Sequence, residues 1–219
     1  MKTILCFGDS NTWGFPPDYE EPDPVKARYP WQVRWPGVMQ SILGKEYRIV
    51  EDAINGRTAF FNDPLSEFRN GAAAIDYAML ANMPVDLVTI MLGSNDVKIF
   101  FNAQPFIIGK GIETLIDKIR LGGYGPGGES PEILIIAPAK LPGSIVRTWV
   151  KNEFDEISVK KSEQLAEVYQ EVAQRKECHF MNASDFVEAN DKDALHLDEA
   201  AHAKLAEAVS EKVKEILSK

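Results

Sequence analysis

Little in this 219-residue chain could staple it or cage a metal: it has two cysteines, Cys6 and Cys178, and three histidines. Two cysteines make no disulfide framework and suit a reducing compartment, and both fall in apolar runs where a core thiol is the expectation. Basic charge is also scarce. Against 33 Asp and Glu stand 24 Lys and Arg, a net charge of −9 with no basic cluster, so neither a nucleic acid nor an anionic membrane is an expected partner. No apolar run approaches the roughly 18 residues of a membrane span. The few apolar residues after Met1 and Lys2 are too short for a secretory core, so a cytoplasmic protein is expected. There is no internal repeat and no linker between two cores of useful size, and residues 1–219 read as a single domain.

What is present begins with Thr3-Ile4-Leu5-Cys6-Phe7-Gly8-Asp9-Ser10. A short buried strand ends in a tight turn that presents a serine and opens a helical or irregular segment. Residues 15–30 are rich in proline and acids and cannot form a regular element. A loop of that length is either a solvated excursion or the wall of a cleft or subunit contact. Apolar spacing then predicts helices over 31–43, 71–83, 104–121, 151–174 and 197–217, with Pro36 as an irregularity in the first. Strands are expected over 47–54, 86–92, 132–137 and 178–181. The run 86–92 (DLVTIML) is the most continuously apolar in the chain, as a central strand covered on both faces should be. Residues 122–128 read as a flexible surface connection. Strands separated by helices throughout imply parallel pairing and a three-layer α/β/α sandwich of about five strands.

In an open α/β sheet, ligands sit at the carboxyl ends of the strands. A serine there is a helix cap or a nucleophile, and a nucleophile needs a base, a group to orient the base, and donors for an oxyanion. His179 lies inside a strand and His202 inside the closing helix, both placed as structural residues. His196 sits between the last strand and that helix, at the same sheet edge as Ser10. Asp193, three residues earlier, can orient its ring, with Asp191 as the competing carboxylate. Asp193, His196 and His202 offer no convincing fourth metal ligand, so no metal or cofactor is implied. Gly56 after the second strand can bring its N–H close to a ligand, and the Asn95 side chain after the third can donate; with the Ser10 N–H they make three oxyanion donors. Read singly, Gly56 is a turn residue and Asn95 a cap. A nucleotide-binding module would need a phosphate loop after the first strand, where this chain has an acid, Asp9.

Taken in order, Gly8-Asp9-Ser10, Gly56, Gly93-x-Asn95-Asp96 and Asp193-x-x-His196 resemble the four blocks of the SGNH hydrolase (GDSL esterase/lipase) superfamily. The resemblance covers the whole chain and is nearest to the bacterial arylesterase and acetylesterase branch, through Ser10 to Gly14, Arg57-Thr58 and Met91 to Asp96. It implies a flavodoxin-like sheet of order 2-1-3-4-5, a homo-oligomer from dimer to octamer, and a serine esterase acting on a small-molecule ester through an acyl-enzyme, with acyl transfer to alcohols in reach. Ser10, Asp193 and His196 would be catalytic. Ser10, Gly56 and Asn95 would hold the oxyanion, and Asp9, Asn11, Trp13 and Arg57 are expected at the substrate. Asn11 departs from the leucine of the namesake motif, which bears on substrate preference. Carbohydrate O-acetylesterase, thioesterase and lysophospholipase remain alternatives, as does a non-catalytic flavodoxin-like binder. An aromatic rim drawn from Trp13, Phe15, Phe60, Phe61, Phe100, Phe101 and Trp149 would favour short acyl chains.

Overall fold

The computed structural model describes residues 1–18 and 28–218; most of the proline-rich loop expected over 15–30 therefore lies outside the described residues. Among the described residues, five parallel strands form one sheet in the order β2-β1-β3-β4-β5. They are β1 (Lys2–Gly8), β2 (Tyr47–Ala53), β3 (Leu87–Met91), β4 (Glu132–Ala137) and β5 (His179–Asn182). Alternation along the strands divides the core in two. Leu5, Phe7, Val88, Ile90, Ile133 and Ile135 face α3 (Gly71–Asn82), α4 (Pro105–Gly122) and α5 (Glu156–Arg175). Ile4, Cys6, Leu87, Met91, Leu134 and Ile136 face α2 (Trp35–Leu43) and α6 (Glu199–Leu217). The result is a three-layer α/β/α sandwich, and every residue of β3 is buried.

The strand order reverses beside β1, which pairs Gly8 with Ala53 on one side and with Met91 on the other. The loops after β1, β2 and β3 therefore emerge side by side at the carboxyl edge, and that edge carries the site.

Several helices start later than periodicity predicts, because capping decides a helix start and apolar spacing does not. The helix expected from 31 begins at Trp35, which places Pro36 in the first turn, where its missing N–H costs no bond. The one expected from 151 begins at Glu156, after a reciprocal box between Asp155 and Ser158. The last begins at Glu199, because Asp198 accepts from the Ala201 N–H at 2.9 Å. The connection after α4 is pinned as well: Tyr124 is buried and its hydroxyl donates to Asp76 at 3.0 Å.

Candidate active site

Ser10 is the first residue of a single-turn helix, α1 (Ser10–Trp13), that follows β1 directly. The turn needs glycine at position 8, because a Cβ there would come within 2.0 Å of Thr12 Oγ1. Asp9 caps the turn, its Oδ1 accepting from the Asn11 N–H at 3.0 Å. Ser10 Oγ then lies 3.0 Å from His196 Nε2, and His196 Nδ1 lies 2.6 Å from Asp193 Oδ2. A carboxylate only accepts, so the ring proton sits on Nδ1 and Nε2 is free to accept from the serine hydroxyl. Asp193 Oδ1 takes the N–H groups of Leu195 and His196, both at 2.9 Å. One buried carboxylate thus fixes both the backbone and the ring of His196, while Asp191 is exposed.

Asn11 links the two halves of this arrangement across 184 residues. Its Nδ2 donates to Leu195 O at 3.1 Å and its Oδ1 accepts from Leu197 N at 3.0 Å, gripping the chain on both sides of His196. Phe15 packs against the imidazole, with ring centroids 4.6 Å apart.

A cavity of about 120 Å³ opens in front of Ser10 and His196 and is walled by Gly56 and Asn95. Gly56 holds φ +75°, a conformation that favours glycine. Among the described residues, the backbone N–H groups of Ser10 and Gly56 donate to no backbone acceptor. Asn95 Nδ2 donates to Arg57 O at 3.1 Å and lies 3.5 Å from Asp9 Oδ2. Behind it, Asp96 receives the Ala59 N–H at 2.9 and 3.1 Å on its two oxygens, tying the loop after β3 to the loop after β2. Burial pushes the carboxyl of Asp96 up to about 7 and that of Asp9 up to about 6, in each case offset in part by a backbone N–H.

The remaining wall consists of Phe15, Asn55, Lys98, Trp149, Val150, Glu153, Phe154 and Leu195. Lys98 and Glu153 pair at 2.5 Å. Phe15 and Trp149 belong to the expected aromatic rim. Phe154 does not, because its spacing matched the apolar stripe of a helix. Phe61 instead stacks on Phe101, with centroids 5.0 Å apart, and packs against Phe60 outside the cavity wall.

The four residues expected at the substrate stand outside this wall, and each has other partners. Asp9 is the cap of α1, and Asn11 is spent on Leu195 and Leu197. Arg57 lies over the Phe7 ring at 4.1 Å and bonds Gly8 O at 3.2 Å and both Asp52 O and Oδ1 at 2.7 and 2.8 Å. Trp13 carries the Arg28 guanidinium 4.7 Å above its ring. His202 is fully buried, and its Nδ1 accepts from Trp35 N at 3.3 Å. His179 pairs with Glu132 at 2.9 Å. Among the described residues no group of three or more His, Cys, Asp or Glu side chains could hold a metal ion, and no helix is long and apolar enough to cross a membrane.

Known proteins carry the same arrangement of elements. The model of the GDSL-like lipase/acylhydrolase family matches residues 6–204. The solved structure of Est24, a carbohydrate acetylesterase from Sinorhizobium meliloti, is 32% identical with a TM-score of 0.91, over 99% of this chain and 100% of that one. An inhibitor-bound aryl esterase from M. smegmatis gives 32% identity and a TM-score of 0.91, over 99% and 100% of the two chains. A lipase/acylhydrolase from Enterococcus faecalis, at 19% identity and a TM-score of 0.67 over 98% and 96%, shares the fold. No curated protein matches the sequence. With nearly its whole length matched by a family model and by two esterases of this kind, the chain belongs to the GDSL-like lipase/acylhydrolase family of SGNH hydrolases and is a carboxylic ester hydrolase.

Proposed function

We propose that the protein cleaves short-chain, acetyl-type carboxylic esters through an acyl-enzyme on Ser10. The observation that carries this reading is the relay from Ser10 Oγ to His196 Nε2 at 3.0 Å and from His196 Nδ1 to Asp193 at 2.6 Å, facing a small cavity. Ser10 Oγ attacks the ester carbonyl as its proton passes to Nε2. The imidazolium so formed is held by Asp193 and returns that proton to the leaving alcohol. Negative charge then grows on the carbonyl oxygen, and in this mechanism the Ser10 and Gly56 N–H groups and the Asn95 amide serve as its donors. Water attacks the acyl-enzyme in the second half, with His196 again taking the proton. An alcohol in place of that water gives acyl transfer.

The acyl group must fit the cavity. At about 120 Å³ it falls below the roughly 300–1,000 Å³ of a typical small-molecule site, and the rings of Phe15, Trp149 and Phe154 line it. Acetate and propionate esters are expected to be preferred over octanoate. The test is kcat/KM along a series of 4-nitrophenyl esters from acetate to octanoate, with Ser10→Ala as the control. A decline with chain length, and no turnover by Ser10→Ala, is expected. An optimum at octanoate would refute the short-chain reading, and turnover by Ser10→Ala would refute the nucleophile.

A further inference from the structure

The apolar wall of the Ser10 cavity is interrupted by one ion pair. Among Phe15, Trp149, Val150, Phe154 and Leu195 it carries Lys98 and Glu153, with Nζ 2.5 Å from Oε2. The Lys98 side chain is 10% exposed, so its ammonium has given up most of its water, and a pair so placed contributes little net stability. Nor is the pair needed to hold the wall together. Ile99 N donates to Glu153 O at 2.9 Å and Ser158 Oγ donates to Val97 O at 2.8 Å, which already joins the loop after β3 to the chain around the start of α5. We infer that Lys98 and Glu153 are specificity-determining residues, and that the acyl group they select is a short one with a hydroxyl beside the ester carbonyl, a 2-hydroxyacyl group such as glycoloyl. This rests on the acyl-enzyme reading above and narrows its substrate class.

Both partners have hydrogen-bonding capacity to spare. An ammonium has three donors, and among the described residues the acceptor recorded for Lys98 Nζ is Glu153 Oε2. The rings of Phe100 and Phe154 lie 5.7 and 5.9 Å from Nζ, at the outer limit of a cation–π contact. Glu153 accepts through one oxygen, and the other has no partner among the described residues. A hydroxyl accepts from the ammonium through a lone pair and donates its proton to the free carboxylate oxygen. One small uncharged group therefore serves both.

Other acyl groups leave the pair worse off. A methyl in the same place would strip water from two charges and return no hydrogen bond. A keto oxygen would only accept, leaving Glu153 unserved. A carboxylate would face Glu153, and an ammonium would face Lys98. Size fixes the position of the hydroxyl: at about 120 Å³ the cavity takes few atoms beyond the ester carbonyl, which places the hydroxyl on the carbon next to it.

The experiment compares methyl glycolate with methyl propionate, in which a methyl stands in place of the hydroxyl at nearly equal size, by acid release at constant pH from the full-length protein. Each kcat/KM is divided by the rate of hydroxide-catalysed hydrolysis, which removes the greater intrinsic reactivity of the hydroxy ester. Wild type is expected to favour glycolate by about tenfold or more after this correction. Lys98→Met, and the double variant Lys98→Met with Glu153→Met, which leaves no unpaired charge behind, are each expected to abolish that preference. Thermal melts establish that the variants are folded. As a readout that needs no variant, glycolamide is expected to inhibit 4-nitrophenyl acetate hydrolysis competitively and about tenfold more strongly than propionamide. Equal corrected rates on the two methyl esters in wild type would overturn the selection, as would a preference undiminished in folded variants or equal inhibition by the two amides. A wild type inert toward 4-nitrophenyl acetate and both methyl esters would instead overturn the esterase reading itself.

Discussion

Asn11 Oδ1 accepts the N–H of Leu197 at 3.0 Å, and through that bond the segment bearing Ser10 is stitched to the segment bearing His196. The same carboxamide holds Leu195 O at 3.1 Å. The distance from serine to imidazole is therefore set by a pair of hydrogen bonds that take no part in proton transfer. Removing them with Asn11→Ala strands a buried N–H and a buried C=O, a loss of about 2–4 kcal/mol of stability. Turnover should fall while KM changes little, because the base is displaced and the cavity is not. Urea unfolding and steady-state kinetics on 4-nitrophenyl acetate measure the two effects; a variant with normal kcat would show that His196 is held by other means.

Asn95 walls the cavity at Ser10, and its amide, the oxyanion donor of the proposed mechanism, is already held by Arg57 O at 3.1 Å. A donor fixed before the reaction contributes most in the transition state. Asn95→Ala should therefore lower kcat by about 100- to 1,000-fold with KM changed little. A loss confined to KM would place Asn95 in ground-state binding instead.

How much of this could be read from residues alone differs from element to element. Strand order and the meeting of Ser10, Gly56, Asn95 and His196 at one sheet edge were legible, because the first three closely follow apolar runs that read as buried strands and His196 lies in the segment between the last strand and the closing helix. Helix starts were less legible, since Asp155 and Asp198 act as caps through side-chain geometry that periodicity does not encode. The fate of Arg57 and Asn11 was hidden for a related reason. A polar residue beside a catalytic block reads as a ligand contact until its partners are seen, and theirs are backbone atoms of Gly8, Asp52, Leu195 and Leu197 together with the Asp52 carboxylate. Glu153 and Phe154 reach the cavity because the chain before α5 is irregular, and Lys98 reaches it from the loop after β3; nothing in their spacing announces it.

The dependence of stability on pH has two opposed parts. Burial holds His202 down at about 4, from an ordinary 6.5. Between those values the unfolded chain takes up a proton that the folded protein refuses, so this stability is full above about 6.5 and is lost as pH falls toward 4, by about 3 kcal/mol. Asp96 runs the other way. Its folded value near 7 lies above the ordinary 3.8, so its contribution is present in acid and is lost as pH rises through that window, by about 4 kcal/mol. Because the two parts overlap, His202→Phe should make the unfolding free energy fall more steeply than in wild type as pH rises from 4 to 6.5. Asp96→Asn, which keeps an oxygen for Ala59 N, should make it fall less steeply, or rise, from pH 4 to 7. Denaturant titrations at several pH values resolve the slopes; slopes equal to wild type would contradict these assignments.

Phe154 is buried in the wall of the Ser10 cavity, so Phe154→Ala enlarges the space for the acyl chain. Relative kcat/KM for butyrate and hexanoate esters over acetate should rise, at a cost of about 3–5 kcal/mol in stability. The ester series described above, repeated on this variant, reads the shift. An unchanged order of preference would mean that the acyl chain lies elsewhere.

The proximity of Ser10 to His196 is tested most directly by labelling with a fluorophosphonate, followed by peptide mass spectrometry and residual activity on 4-nitrophenyl acetate. One adduct on Ser10, loss of hydrolysis in proportion to labelling, and no adduct on His196→Ala are expected. An adduct at another residue, or full hydrolysis by protein labelled at Ser10, would show that this serine is not the nucleophile.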